Sequence, residues 1–249
     1  MAANWQATLS KDPPGNFPEL RPLHAYYRFG WSGLTAAAAE VHFTKPANDR
    51  FQFDGTGRTI GLVRALWKMD VNYRAMTNAE TLNPIETQQA ENYRSKRVVT
   101  QLTFSDRGVT RARTEGQGAA AKTKTRQFVL SNLFDLHAAA LYLRSEPLAQ
   151  GSIYRLAVYP ATNAYLATIT VIDRERISVR AGSYNAIKLD LRLKRIGDHL
   201  ELQPHKKFRR ATIWVSDDPD RIILRIEAQV FVGTVFAELQ SVHFDTPKQ

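Results

Sequence analysis

No cysteine occurs in this 249-residue chain. That absence removes disulfides, thiolate nucleophiles and cysteine metal sites together. No apolar stretch approaches the roughly 18 residues that a membrane-crossing helix requires; Ala36–Ala39 is a typical short run. Acid is scarce beside base, with 24 Asp and Glu against 34 Lys and Arg, a formal net charge of +10. Histidine is sparse too. His24, His42, His137, His199, His205 and His243 stand at no HxH or HxxxH spacing, so no metal site is expected from them. No serine sits in a nucleophile elbow, and no cofactor is expected. The opening Met1-Ala2-Ala3-Asn4-Trp5 lacks the basic start and apolar stretch of a secretory signal. An exported chain whose signal has been replaced by a start methionine reads the same way.

What is present is alternation. Ile187, Leu189, Leu191 and Leu193 interleave with Lys188, Asp190, Arg192 and Lys194. Ile222, Leu224, Ile226, Ala228, Val230 and Val232 repeat the pattern. Successive strand side chains point to opposite faces, so each such strand has one buried and one wet face. Turn signals at Asp173-Arg174, Gly197-Asp198 and Asp217–Asp220 separate the strands by hairpin-length loops, which predicts an antiparallel meander. Earlier in the chain, Tyr26–Trp31 and Leu34–Phe43 read as paired strands, and Val98–Phe104 and Val109–Arg113 as a hairpin about Asp106-Arg107-Gly108. Gly116–Lys124 reads as a mobile loop.

Two helices are expected. Ile60, Val63, Leu66 and Trp67 fall at helical spacing within Thr59–Met69. The central one spans Leu133–Arg144, capped by Ser131 and stopped before Pro147. The predicted fold is mostly β: a large curved antiparallel sheet, or half-open barrel, with this central helix packed on its concave side and the shorter helix nearer the N-terminus. Residues 1–22, with five of the chain's prolines and glycines, form an extended lead-in; residues 23–249 form a single β-rich domain.

Candidate chemistry is thin. Gly55-Thr56-Gly57-Arg58-Thr59-Ile60-Gly61 resembles a dinucleotide fingerprint, but its spacing is off by one and no second parallel unit follows. A glycine-rich helix entry accounts for it. Asp217, Asp218 and Asp220 lack the glycine and distal glutamate of a calcium loop and suit a turn about Pro219. Glu91, Asp135, Glu175 and Glu227 are available for a carboxylate pair, but sequence does not bring any two together. Trp67, Tyr73, Tyr93 and Trp214 stand near Arg64, Arg74, Arg94 and Arg210, and aromatic faces beside arginine can hold sugars or anionic amphiphiles. Trp67, Tyr73, Tyr93, Arg210 and Trp214 are therefore the candidate ligand residues.

Base is also clustered. Between Arg94 and Arg126 nine basic residues face two acids. Arg107, Arg111, Arg113, Lys122 and Lys124 belong to this basic patch, and Lys206 and Lys207 to a second run. Such patches attract polyanions and anionic lipid without reading nucleic-acid sequence.

Several segments carry a resemblance. They are Tyr27-Arg28-Phe29-Gly30-Trp31-Ser32-Gly33-Leu34, Asp135–Arg144, Leu148-Ala149-Gln150-Gly151, Arg174-Glu175-Arg176-Ile177, Ala181–Ala186 and Ile213–Arg221. Together they resemble a bacterial family of exported proteins catalogued as domain-of-unknown-function family 3108. The resemblance runs from about residue 24 to 244. It implies a periplasmic or exported location and a half-barrel like that of lipoprotein carriers, and supplies no catalytic residue. The expected function is a non-enzymatic envelope module holding an amphipathic or anionic molecule, lipid or glycan, in its concave face. An enzyme acting on envelope polysaccharide and an interaction scaffold are the alternatives.

Overall fold

The structure is a computed structural model, and it describes residues 5–10, 13–15, 21–47, 49–205, 208–230 and 233–245. Eight strands first run as a meander: β1 (Leu23–Trp31), β2 (Leu34–Ala47), β3 (Arg50–Thr59), β4 (Met69–Asn78), β5 (Pro84–Tyr93), β6 (Arg97–Ser105), β7 (Gly108–Glu115) and β8 (Lys122–Val129). The short helix α1 (Gly61–Leu66) interrupts them between β3 and β4. Then come β9 (Leu133–Phe134), helix α2 (Leu136–Ser145), β10 (Ile153–Val158), β11 (Ala164–Val179), β12 (Gly182–Ile196), β13 (Leu202–Pro204), β14 (Phe208–Ser216), β15 (Ile223–Val230) and β16 (Gly233–Phe244). All belong to one sheet, ordered β8-β7-β6-β5-β4-β3-β2-β1-β16-β15-β14-β12-β11-β10-β9, with β13 beside β12. Every pairing is antiparallel except β9 with β10. The sheet curves without closing, so β8 and β9 remain its two edges.

The alternation read from β12 holds at Ile187 and Leu189, which are buried under α2 with Ile169, Val171 and Val215. The opposite face is not wholly wet. Asp190 is buried, held by Arg192 at 3.1 Å and by Arg210. Helix α2 touches both halves of the molecule. Ala138 and Tyr142 pack on β10–β12 and β14, while Leu141 packs with Phe43, Phe51 and Leu82 of the β2–β5 region. Only the inside of a curved sheet offers both contacts, so α2 fills the concave side.

Local chemistry moves several predicted boundaries. Leu133 and Phe134 are extended, because pairing with Ala157 and Val158 satisfies their backbone. Helix α2 therefore begins later, and its cap is Asp135, not Ser131; the Asp135 carboxylate accepts from the Ala138 N–H at 2.6 Å. Helix α1 is shorter than the spacing suggested, since Thr59 still pairs in β3 and Met69 already pairs in β4. Gly55 and Gly57 are strand residues of β3, not a helix entry; Gly61, at φ +56°, makes that turn. The expected loop at Gly116–Lys124 ends early. Lys122 pairs with Glu115 and Lys124 with Arg113, which makes β8 an edge strand. The lead-in is anchored where described: the Trp5 indole donates to the Leu200 carbonyl at 2.8 Å, and Ser10 pairs with Arg155.

Candidate functional site

At one end of β1–β5 the molecule holds apolar side chains out in water. Thr59 is buried at the end of β3 and clamps both ends of the excursion that carries α1. Its hydroxyl donates to the Trp67 carbonyl at 3.0 Å and accepts from the Met69 N–H at 3.1 Å. Arg64 adds a two-pronged bond to Asp70, at 2.8 and 3.2 Å, which keeps that carboxyl below its ordinary range. With its polar groups so occupied, α1 presents Leu62 at 84% exposure, Leu66 at 85% and Trp67 at 54%. Leaving a Leu-sized side chain wet forfeits about 1.5–3 kcal/mol of burial. Trp31 and Leu34, at the β1–β2 turn, are exposed as well.

A cleft of about 310 Å³ opens beside this helix, between Leu66, Trp67, Tyr93 and the β5–β6 turn. Trp67 stacks on Tyr93 with ring centroids 6.3 Å apart, because Met69 and Tyr93 are partners across β4 and β5. Lys96 stands 5.3 Å over the Tyr93 ring. Arg94 donates to the Ala65 carbonyl at 2.8 Å, tying the turn to the helix. Partial burial, then the neighbouring Glu91, pushes the Tyr93 phenol up, so it stays neutral and can donate a hydrogen bond. A second cleft, of about 430 Å³, lies alongside between Arg97, Thr114 and Gly116–Gly118. Lys68, Arg94, Lys96 and Arg97 line these two openings, with no acidic residue in either lining.

The sequence-derived ligand set divides here. Trp67 and Tyr93 meet; the others do not join them. Tyr73 points to the opposite side of β4 from Arg74, with its hydroxyl buried and its ring edge-on to Phe53 at 5.9 Å. Trp214 is 8% exposed and donates to Glu175 at 2.6 Å, and Arg210 is bound to Asp190. The basic patch also divides. Arg107 lies in the β6–β7 turn, and Arg111 donates to the Thr162 carbonyl at 3.0 Å across to the far half of the sheet. Arg113 is paired with Glu115 at 2.7 Å, while Lys122 and Lys124 are exposed on β8. Lys206 and Lys207 lie outside the described residues. The four carboxylates each have a separate setting: Glu91 accepts from Gln89, Glu175 from Trp214, Glu227 lies 3.9 Å from Arg225, and Asp135 is inside.

A buried polar cluster at the start of α2 joins Asp135 and His137, which the sequence offers only singly. Asp135 accepts from Thr87 at 2.7 Å besides capping the helix, and His137 Nδ1 bonds Thr77 at 3.2 Å. Burial raises the Asp135 carboxyl and pushes the His137 imidazole down to about 3, so the ring is neutral. Phe43 and Phe53 flank that ring. Through these bonds to Thr77 of β4 and Thr87 of β5 the cluster fixes the start of α2 inside the sheet. Asp135→Ala strands the Thr87 hydroxyl and the Ala138 N–H, and is expected to cost about 2 kcal/mol. Asp135→Asn keeps a capping oxygen and cannot ionise in a site where burial disfavours charge, so its melting temperature is expected to match or exceed wild type at pH 7. An Asn variant as damaged as the Ala variant would show that the charge itself is required.

A curved, unclosed sheet wrapped on one helix, with an apolar and basic cleft at its end, defines a β-barrel-like protein. The chain belongs to the DUF3108 family of proteins of unknown function, whose model matches residues 25–240. No curated protein matches it. The fold is similar to that of a β-barrel-like protein of domain of unknown function DUF1849 from Brucella abortus, with a TM-score of 0.59 at 10% identity, covering 92% of this chain and 99% of that one. A candidate exported protein with a YmcC-like fold from Bacteroides fragilis matches at a TM-score of 0.36 and 10% identity, over 91% and 98% of the two chains.

Proposed function

We propose that this protein is a non-enzymatic, periplasmic or exported module of the bacterial envelope that binds an anionic amphiphile through the α1 cleft. The observation that carries this reading is the display of Leu62, Leu66 and Trp67 in water beside Lys68, Arg94 and Lys96. Apolar side chains enter the acyl boundary of a lipid surface while adjacent cations meet its negative headgroups. The concave face, where a ligand was first expected, is taken up by α2 and its apolar neighbours. The rim beside α1 offers an amphiphile apolar and cationic side chains together.

Vesicle co-sedimentation tests this. Vesicles containing phosphatidylglycerol are expected to retain the protein at least ~10-fold better than neutral phosphatidylcholine vesicles, a difference of about 1.4 kcal/mol. Leu62→Ser/Leu66→Ser touches only exposed side chains, so folding should be unchanged while vesicle binding falls by at least the same ~10-fold. Equal binding to both vesicle types, or full binding by the double variant, would refute the reading.

A further inference from the structure

Three of the six histidines, far apart in sequence, stand side by side in the sheet. His243 of β16 is the direct partner of His24 in β1, and His24 is the direct partner of His42 in β2. Direct partners across an antiparallel pair share a face. The His24 and His42 rings lie with centroids 3.7 Å apart. Asp245, just beyond β16 and fixed by its N–H to the Pro22 carbonyl at 2.9 Å, brings its carboxylate to 3.5 Å from His42 Nε2. One ligand atom from each of His24, His42 and Asp245 lies within 4.8 Å of the others. His42 Nε2 is shielded from solvent yet makes no hydrogen bond among the described residues.

We infer that His24, His42 and Asp245 form a site for a divalent first-row transition ion of the zinc(II) class. Two imidazoles and one carboxylate are the borderline nitrogen and oxygen donors this class prefers. Zinc bonds to these donors at about 2.0–2.2 Å, so tetrahedral ligand atoms stand roughly 3.3 Å apart. The gap from 4.8 Å closes by side-chain rotation, since both imidazoles are part-exposed and Asp245 is exposed. Glu40 Oε1 lies 3.6 Å from His24 Nδ1 and is bonded by Tyr26, which suits it to orient that ring from behind. Asp54, the partner of His42 across β3, is already engaged by Arg74 at 2.6 Å and contributes no ligand. Three protein donors leave the fourth position of a tetrahedral ion to an exchangeable water. The expectation against a metal site rested on linear spacing, and cross-strand register lies outside what spacing encodes. This inference is independent of the lipid reading, since the row lies on the sheet surface and not in the α1 cleft.

The test uses the full chain without an affinity tag and zinc chloride as probe. Calorimetric titration is expected to give one zinc per chain, with His24→Ala and His42→Ala each weakening it at least ~10-fold, while His205→Ala leaves it unchanged. Saturating zinc should raise the melting temperature by at least ~3 °C, because the ion binds only the assembled sheet. A strand substitution can disturb folding, so the unaltered protein supplies a second readout. Zinc should shift the ring-proton resonances of two of the six histidines. Absence of saturable binding at ~100 µM zinc, binding retained in His24→Ala/His42→Ala, or shifts confined to other histidines would each overturn the site.

Discussion

Acidification from pH 7 to pH 4 is expected to remove about 3 kcal/mol of stability through His137 alone. The folded state buries this imidazole between Phe43 and Phe53 and holds it neutral down to about pH 3. In the unfolded chain an imidazole takes up its proton near pH 6.5. The depressed folded value fixes the sign: the contribution is complete above about pH 6.5 and drains away as pH falls toward about 3, because the unfolded state binds the proton first. The full window is worth about 4–5 kcal/mol, a large part of the 5–15 kcal/mol that domains possess. His137→Gln retains a polar atom for Thr77 and cannot be protonated in this range. Its melting temperature should therefore fall less than wild type's between pH 7 and pH 4, by roughly 6–12 °C at pH 4. Parallel pH profiles for the two proteins would show that His137 is already protonated in the fold, or that its burial is relieved.

Trp214→Ala is expected to cost about 3–5 kcal/mol, as large aromatic truncations in cores do. The indole lies among Ala186, Leu224 and Leu239, where β1, β12, β15 and β16 meet. Its N–H donates to Glu175, and Lys188 stands 5.6 Å over the ring and 3.2 Å from the same carboxylate. Those contacts hold the Glu175 carboxyl below its ordinary range. Truncation leaves a cavity and releases Glu175 together. The melting temperature should fall by at least ~6 °C, while Trp214→Phe, which keeps most of the ring, should lose under half as much. A drop below ~2 °C for the alanine variant would contradict the buried placement.

The strands were legible because a half-buried strand writes its geometry into every second residue. Ile187 and Leu189 of β12 needed no partner to be read. The aspartate turn was legible for a local reason as well: the Asp218 carboxylate accepts from the Ser216 hydroxyl and the N–H groups of Asp220 and Arg221, all within three residues. Helix ends were misread because tertiary pairing decided them. Leu133 and Phe134 had helical spacing, yet β10 claimed them as a strand. The ligand set mixed positions by residue type. Parity alone separates Tyr73 from Arg74 on β4, whereas Trp67 meets Tyr93 only through the register of β4 with β5. The histidine row was invisible for the same reason, since its spacing is written across three strands and not along one.

The order of strands also sets how the sheet comes together in time. From β1 to β8 each strand pairs with its chain neighbour, so the first half can zip from successive local hairpins. The pairing of β1 with β16 is of another kind: Trp31 meets Val235, which closes a loop of roughly 200 residues, and such closure grows costly only with the logarithm of length. The β1–β16 pairing is thus a link that successive hairpins do not supply, and a β1 without β16 would present an unpaired strand edge to other chains.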